Sequence, residues 1–345
     1  MSSTTRATEP LQDSGWPAVC VIMPILNEER HLEETVAAVL GQTYLGPIEL
    51  ILALGPSQDR TDEIAAQIAA REPRLRTVQS LSGRTPDALN AALAASRSEI
   101  VVRVDGHGVL DRGYVRTAVE LLRETGAANV GGMMDAEGVT PFERAVAAAM
   151  TSKLGVGPAR FHTGGEPGVA DSVYLGAFRR EWLDRLGGYD PRFVRAQDWE
   201  LNHRIRQAGG VVWFSPRLRV AYRPRPTLRA LARQYRDYGR WRRVVARTHR
   251  GTINARYLAP PTVVVAVGAG AILGFLWPAA WLVPASYFAV TTVGGLLMPG
   301  DLRFRERGML PVIIPLMHLS WGWGFLNSRV RIENVAAPAA PPSPR

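Results

Sequence analysis

Three short stretches hold residues whose types and spacing could do chemistry. In Val102-Arg103-Val104-Asp105-Gly106-His107-Gly108 a carboxylate and an imidazole stand two residues apart on a glycine-flanked turn. Both can reach one cation. A hard metal that bridges phosphate oxygens takes an oxygen ligand, and accepts a histidine when the ion is manganese. An Asp-Gly turn with a solvent-facing histidine accounts for the same residues. In Arg195-Ala196-Gln197-Asp198-Trp199-Glu200-Leu201, Asp198 falls in the first turn of a helix predicted to run to about Ala208. There the helix dipole favours an ionised carboxylate, suited to taking a proton from a hydroxyl as a new bond forms. A plain helix cap is the competing reading. In Pro24-Ile25-Leu26-Asn27-Glu28-Glu29, Asn27 reads as an N-cap and the glutamates as partners of the helix's positive end, and capping accounts for them without any function.

The elements that must carry these stretches alternate in type. Strand-like runs at Ala18 to Met23, Ile48 to Leu54, Leu75 to Val78 and Ile100 to Val104 are separated by helical patterns at Glu28 to Leu40, Ile64 to Ala70 and Pro86 to Ala95. This βαβ rhythm predicts an α/β domain with a mostly parallel sheet covered by helices. Ligands of such sheets collect at the carboxyl ends of strands, which are the positions just after Met23, Leu54 and Val104. The single cysteine, Cys20, permits neither a disulfide framework nor a cysteine zinc site, so chemistry falls to carboxylates, histidine and backbone.

Charge and hydropathy divide the rest. Of the formal net charge of +10, residues 217 to 257 supply thirteen arginines against one acid, Asp237, so the remainder is slightly acidic. From Thr227 to Val245 those arginines alternate at helical spacing with Leu228, Leu231, Tyr235, Tyr238 and Val245, the pattern of an amphipathic helix at a membrane surface. Between Arg256 and Asp301 there is no Asp, Glu, Lys or Arg. The stretch from Leu258 to Gly300 is long enough for two membrane spans, breaking near Trp277-Pro278, and Met309 to Leu326 fits a third. Beside spans, the arginines need no nucleic acid to explain them. The polar first 16 residues, expected to be disordered, lack the apolar centre of a secretory signal, and the arginine flanks follow the positive-inside rule. The expected arrangement is a multi-pass protein of the cell membrane with residues 17–226 and the interfacial segment 227–257 cytoplasmic, spans within 258–326, and a Pro/Ala-rich tail at 327–345 on the other side. Spans whose only ionisable side chain besides tyrosine is His318 disfavour a transporter. Nothing in the sequence fixes an oligomeric state.

In order and spacing these stretches resemble the family 2 glycosyltransferases of the GT-A fold, in particular the membrane-bound branch of succinoglycan and exopolysaccharide biosynthesis. The resemblance covers about residues 18 to 250. It is carried by the motifs above together with Ser57-Gln58-Asp59-Arg60-Thr61, Leu89-Asn90, Gly176 to Glu181, Gly187-Gly188-Tyr189-Asp190 and Gln234-Tyr235 with Tyr238-Gly239-Arg240-Trp241.

The resemblance implies a GT-A (nucleotide-diphospho-sugar transferase, Rossmann-like) domain followed by a C-terminal transmembrane region. It implies a donor side of Pro24, Asn27, Glu28, Asp59, Asn90 and Asp105, and an acceptor side of Asp171, Gln197, Glu200, Gln234, Arg240 and Trp241. Asp105 and His107 would hold Mg2+ or Mn2+, with His107 standing where many relatives have a second acid, and Asp198 would be the catalytic base of a single inverting displacement. The partners implied are a nucleotide-diphospho-sugar, a lipid-linked or glycan acceptor and membrane lipids. Two departures matter. Leu54-Gly55 replaces the acidic pair usual after the second strand, which leaves the nucleotide base open. Gln234 to Trp241 departs from the Gln-x-x-Arg-Trp of processive synthases, which favours single addition. A polyprenyl-phosphate glycosyl synthase and a membrane-anchored nucleotide sensor are the alternatives.

Overall fold

The computed structural model describes residues 15–335. Its first part follows the expected alternation: β1 (Val19–Ile25), α1 (Leu32–Leu40), β2 (Ile48–Leu54), α2 (Thr61–Ala69), β3 (Leu75–Gln79), α3 (Thr85–Ala95) and β4 (Ile100–Arg103). There follow β5 (Val109–Leu110), α4 (Tyr114–Thr125), β6 (Asn129–Ala136), α5 (Pro141–Met150), α6 (Lys153–Val156), α7 (Arg160–Thr163), β7 (Gly168–Val169), β8 (Tyr174–Arg179), α8 (Arg180–Leu186), α9 (Gln197–Gln207) and β9 (Val212–Tyr222). The strands form one sheet in the order β3-β2-β1-β4-β8-β6-β9-β5, with β7 paired to β9. β3, β2, β1 and β4 are parallel, whereas β8 runs antiparallel to both β4 and β6. The sheet is therefore parallel on one side and mixed on the other.

Register aligns the functional edge. Pro24 pairs with Ala53 and Ile25 with Leu54, so the loops leaving β1 and β2 emerge side by side. Arg103, the last residue of β4, pairs with Ile22 on one side and Gly176 on the other. β1 is buried on both faces, as a central parallel strand must be. Val19, Val21, Met23 and Ile25 pack with Leu32, Val36, Tyr114 and Val115 of α1 and α4. Cys20 and Ile22 face the other way, with Ala88, Leu89, Leu183, Leu201 and Ile205 of α3, α8 and α9. Burial pushes the Cys20 thiol up to about 12, which makes it an inert core residue.

Two expectations at the ends of the chain meet the described residues only in part. Residues 1–14 and 336–345 lie outside them, and so does most of the expected Pro/Ala-rich tail. Trp16, placed by sequence in a disordered segment, is instead packed edge-on against Tyr44, with the Arg123 guanidinium 5.1 Å from its ring.

The C-terminal part consists of α10 (Leu228–Thr248), α11 (Ala255–Leu273), α12 (Leu282–Leu296) and α13 (Phe304–Leu326). Among the described residues three helical stretches, Ala255–Leu273, Pro278–Leu296 and Phe304–Leu326, are long and apolar enough to cross a membrane. The break falls at Trp277-Pro278 as the sequence suggests, but α13 starts at Phe304 rather than near Met309. The charged residues of its first turn are used internally. Glu306 is buried and ion-paired to Arg144 of α5 at 2.6 Å, and Arg307 donates to the carbonyls of Met298 and Gly300.

The arginine-rich α10 is packed against the apolar helices. Its buried side packs along α13 so closely that a Cβ on Gly239 would collide with the Trp321 carbonyl, and one on Gly324 with the Arg236 carbonyl. Arg243 donates to the carbonyls of Phe325 and Leu326, and Arg247 to that of Ser328, so cations sit at the negative end of α13. Apolar residues of α5, α10 and α13, among them Val146, Leu231, Ile313 and Met317, share one core. The sheet domain and the apolar helices are thereby joined.

Candidate active site

At the carboxyl ends of β1, β2 and β4 a cleft of about 1780 Å³ opens, and it extends down to residues of α11 and α13. Its near wall is built by cross-bonded loops. Asn27 has φ +55° and is not the N-cap of α1; that position falls to His31. The Asn27 backbone N–H donates to Ser57 Oγ at 3.1 Å, and its Oδ1 accepts from the Gln58 N–H at 2.8 Å. The Glu28 N–H donates to Thr61 Oγ1 at 2.8 Å, and Asp59 accepts from the N–H groups of Glu29 and Thr61. Residues that sequence alone allows as a helix start are taken up in joining the β1 and β2 loops, so α1 begins later. Pro24, Asn27, Glu28 and Asp59 all line the cleft.

The β4 end supplies the charge. Arg103, 3% exposed, lies beneath Asp105 and Asp198, which are 24% and 26% exposed. Its Nη2 donates to Asp105 Oδ1 at 2.8 Å, and its Nη1 to Asp198 Oδ1. Burial pushes the Asp105 carboxyl upward, but the Arg103 guanidinium together with His107 and Arg195 outweighs that and holds it below the usual range. His107 Nδ1 is 2.8 Å from Glu28 Oε1. Burial draws the imidazole pKa down, yet the Glu28 hydrogen bond and nearby Asp105 prevail, leaving it above its ordinary value. Gly106 permits this approach, since a Cβ there would stand 2.8 Å from Glu28 Cγ.

Asp198 is delivered by α9. Leu201 and Ile205 anchor the helix in the core, and buried Asn202 accepts from Asn129 at 2.6 Å and donates to Ser172 at 3.1 Å. Before it, Ala196 lines the cleft in the left-handed region at φ +61°. A residue with a Cβ tolerates that conformation only where its surroundings enforce it.

The other expected residues divide. Asp171, Gln197, Gln234 and Trp241 line the cleft; Gln234 Nε2 donates to the hydroxyls of Tyr222 and Tyr238 at 2.7 and 2.8 Å. Asn90, Glu200 and Arg240 are not brought to it. Asn90 clasps the backbone of Tyr189 with two hydrogen bonds of 2.7 and 2.9 Å. Glu200 is buried against Arg204, whose guanidinium also donates to the carbonyls of Leu186 and Gly188. Arg240 pairs with Asp237 and faces a separate groove. Asn90 and Glu200 hold the scaffold behind the site. Sequence reasoning did not single out Arg103 as a site residue, although a charge closing the run Ile100-Val101-Val102 demands buried partners. It also passed over Trp199, Arg206, Arg242 and Arg256, all of which line the cleft.

A divalent cation suits part of this arrangement. Among the described residues no group of three or more His, Cys, Asp and Glu side chains gathers as a metal cage. Asp105 and His107 offer one oxygen and one nitrogen on the cleft surface. A bond such as that from Nδ1 to Glu28 would orient the imidazole if it held an ion. Two protein donors suffice for an ion that completes its shell with phosphate oxygens and water.

Comparison with known proteins agrees with this geometry. Residues 20–187 match the family described as "Glycosyl transferase family 2". The chain is 32% identical over 311 residues to succinoglycan biosynthesis protein ExoA of Rhizobium meliloti (strain 1021), covering 88% of this chain and 93% of that protein. It is 25% identical over 229 residues to glycosyltransferase AglE of Haloferax volcanii, covering 65% of this chain and 72% of AglE. The fold is that of mannosyltransferase PcManGT from Pyrobaculum calidifontis, solved in complex with GDP-Man and Mn2+, with a TM-score of 0.61 at 22% identity over 91% of this chain and 88% of that one. With its mixed GT-A sheet, its acid-lined cleft and a relative this similar along nearly its whole length, the chain belongs to glycosyltransferase family 2 and is a nucleotide-sugar-dependent glycosyltransferase.

Proposed function

We propose that this enzyme moves a single sugar, with inversion, from a nucleotide-diphospho-sugar to a hydroxyl of a lipid-linked or cell-envelope glycan at the cytoplasmic face of the cell membrane. One observation carries the reading: Asp105, just after β4, and Asp198, in the first turn of α9, meet over Arg103 in a cleft whose lower wall is the start of α11. Similarity to a succinoglycan biosynthesis protein supports an envelope polysaccharide as the product.

Asp198 accepts the proton of the acceptor hydroxyl as its oxygen attacks the anomeric carbon. The bond from that carbon to the diphosphate breaks, and the nucleoside diphosphate leaves. Arg103 fixes the orientation of both carboxylates, and the bonded loops at Asn27 and Asp59 shape the donor side. Asp105 and His107 would hold Mg2+ or Mn2+, which when bound supplies positive charge against the leaving diphosphate. Mn2+ in PcManGT supports this assignment. No covalent enzyme intermediate is required.

The test is transfer from a panel of nucleotide sugars by the purified chain in detergent, with product mass spectrometry. The expected result is a metal-dependent glycosylated lipid or glycan whose formation Asp105→Ala abolishes. Nucleotide binding without turnover for any donor would sink the reading in favour of a sensor.

A further inference from the structure

A second concentration of charge in the cleft plays no part in the transfer chemistry above. Arg242, on the buried face of α10, is sandwiched between aromatic rings. Its guanidinium carbon is 4.1 Å from the centroid of Trp199 and 3.7 Å from that of Tyr257. Arg206 approaches the same Trp199 ring at 6.0 Å, and Arg256 the same Tyr257 ring at 5.3 Å. All five residues line the cleft.

Arg242 is 6% exposed. Its Nη2 donates to the Thr252 carbonyl, while Nε and Nη1 are buried with no acceptor. Stacking satisfies the faces of a guanidinium but not the N–H groups on its edge, and unmet buried donors are costly. The nearby carboxylate, Asp171, is 72% exposed and lies 3.6 Å from Arg206 instead. Burial lowers the Arg242 pKa, and Arg256 and Arg206 add to the effect against Tyr257 and Asp171. Three guanidinium groups crowd one stretch of the cleft wall, with donors of Arg242 and Arg206 unmet, so the complement this site lacks is an anion with several acceptor oxygens. Planar guanidinium forks recognise phosphate in this way.

Position narrows the ligand. Arg256 and Tyr257 occupy the first turn of α11, the first helix able to cross a membrane, and Ala259, Pro260 and Val263 of that helix continue the cleft wall. Trp199 adjoins Asp198 in sequence. We propose that Arg206, Arg242 and Arg256 form a subsite for the phosphate groups of a lipid-borne acceptor, which anchors a lipid diphosphate at the foot of α11 while its sugar reaches toward Asp198. This rests on the proposed function and adds the chemical class of the acceptor and the residues that hold it. The donor's diphosphate is assigned elsewhere, to Asp105 and His107.

The test is binding to the full chain in detergent by calorimetry, with farnesyl diphosphate, farnesol, inorganic diphosphate and a nucleoside diphosphate with Mn2+ as probes. Arg256→Gln removes a partly exposed donor with little risk to folding, and Arg242→Lys keeps the charge but loses the stacked fork. Farnesyl diphosphate is expected to bind at least about tenfold more tightly than farnesol or inorganic diphosphate. Each variant should weaken it about tenfold or more, the loss of a charge-assisted hydrogen bond, while leaving nucleoside diphosphate binding unchanged. Equal binding by wild type and Arg256→Gln overturns the proposal. So does inorganic diphosphate matching farnesyl diphosphate, or a parallel loss of nucleoside diphosphate affinity, which would give the arginines to the donor. A wild-type chain that binds farnesyl diphosphate through these arginines but no nucleotide would preserve the subsite and sink the transferase mechanism, so the two failures are distinct.

Discussion

Asp105 and Asp198 are joined through their Oδ1 atoms to a single buried guanidinium, that of Arg103. One residue follows β4 and the other opens α9, so their meeting depends on the packing of the whole domain. Removing one partner of a buried ion pair leaves uncompensated charge and costs about 3–5 kcal/mol. Here the two acids are partly exposed, which places Arg103→Leu toward the lower figure. The variant should unfold at lower temperature in detergent and lose most of its transfer activity as both carboxylates drift. Unchanged melting with full turnover would show that the ion pairs position nothing.

Asp198→Asn separates two acceptor chemistries. If a hydroxyl attacks, loss of the base should lower kcat by about 10²–10⁴-fold while donor binding holds. A lipid phosphate is already ionised and needs little help. Retention of much of the activity in Asp198→Asn would therefore point to a polyprenyl-phosphate glycosyl synthase, and steady-state kinetics against defined acceptors make the distinction.

Glu28 touches His107, and outer-shell partners of metal ligands are worth about 10–100-fold in affinity. Glu28→Gln should raise the Mn2+ concentration for half-maximal activity within that range. Gly106→Ala should act in the same direction, because its Cβ displaces the Glu28 side chain. Metal titration of activity is the measurement, and identical curves for wild type and both variants would remove Glu28 from the site.

How much of this was legible beforehand depends on whether a residue's role is local. The βαβ order, the break at Trp277-Pro278 and the placement of Asp105 at a strand end follow from periodicity, a proline and an exposed turn, all signals carried by a few adjacent residues. Asn27 misled because an asparagine before two glutamates looks the same whether it caps a helix or occupies the left-handed region to bond a neighbouring loop. Asn90 and Glu200 sit in motifs that carry the resemblance to the family, yet their partners, Tyr189 and Arg204, use them to brace the turn behind the site. The Arg242 sandwich needs Trp199 from α9 and Tyr257 from α11, and no local pattern reveals such a meeting.

His162 gives a test of stability against pH. It lines the cleft with Nδ1 buried and without a hydrogen-bond partner, and burial, reinforced by the Arg256 charge, lowers its pKa from 6.5 to about 3. The folded state thus resists protonation that the unfolded chain accepts readily below pH 6.5, so the unfolded state binds more protons as pH falls from there toward 3. Native stability must drop across that window and recover above it. The share due to His162 at pH 5 is roughly 1 kcal/mol, reduced from the full linkage value for its residual solvent contact. His162→Phe, which packs a ring of similar shape with nothing to titrate, should flatten the decline in melting temperature between pH 7 and pH 5 without altering stability at pH 8 by a comparable amount. Parallel declines in the two proteins would mean that the imidazole takes up its proton in the folded state, with water or a moving Arg256 making room for the charge.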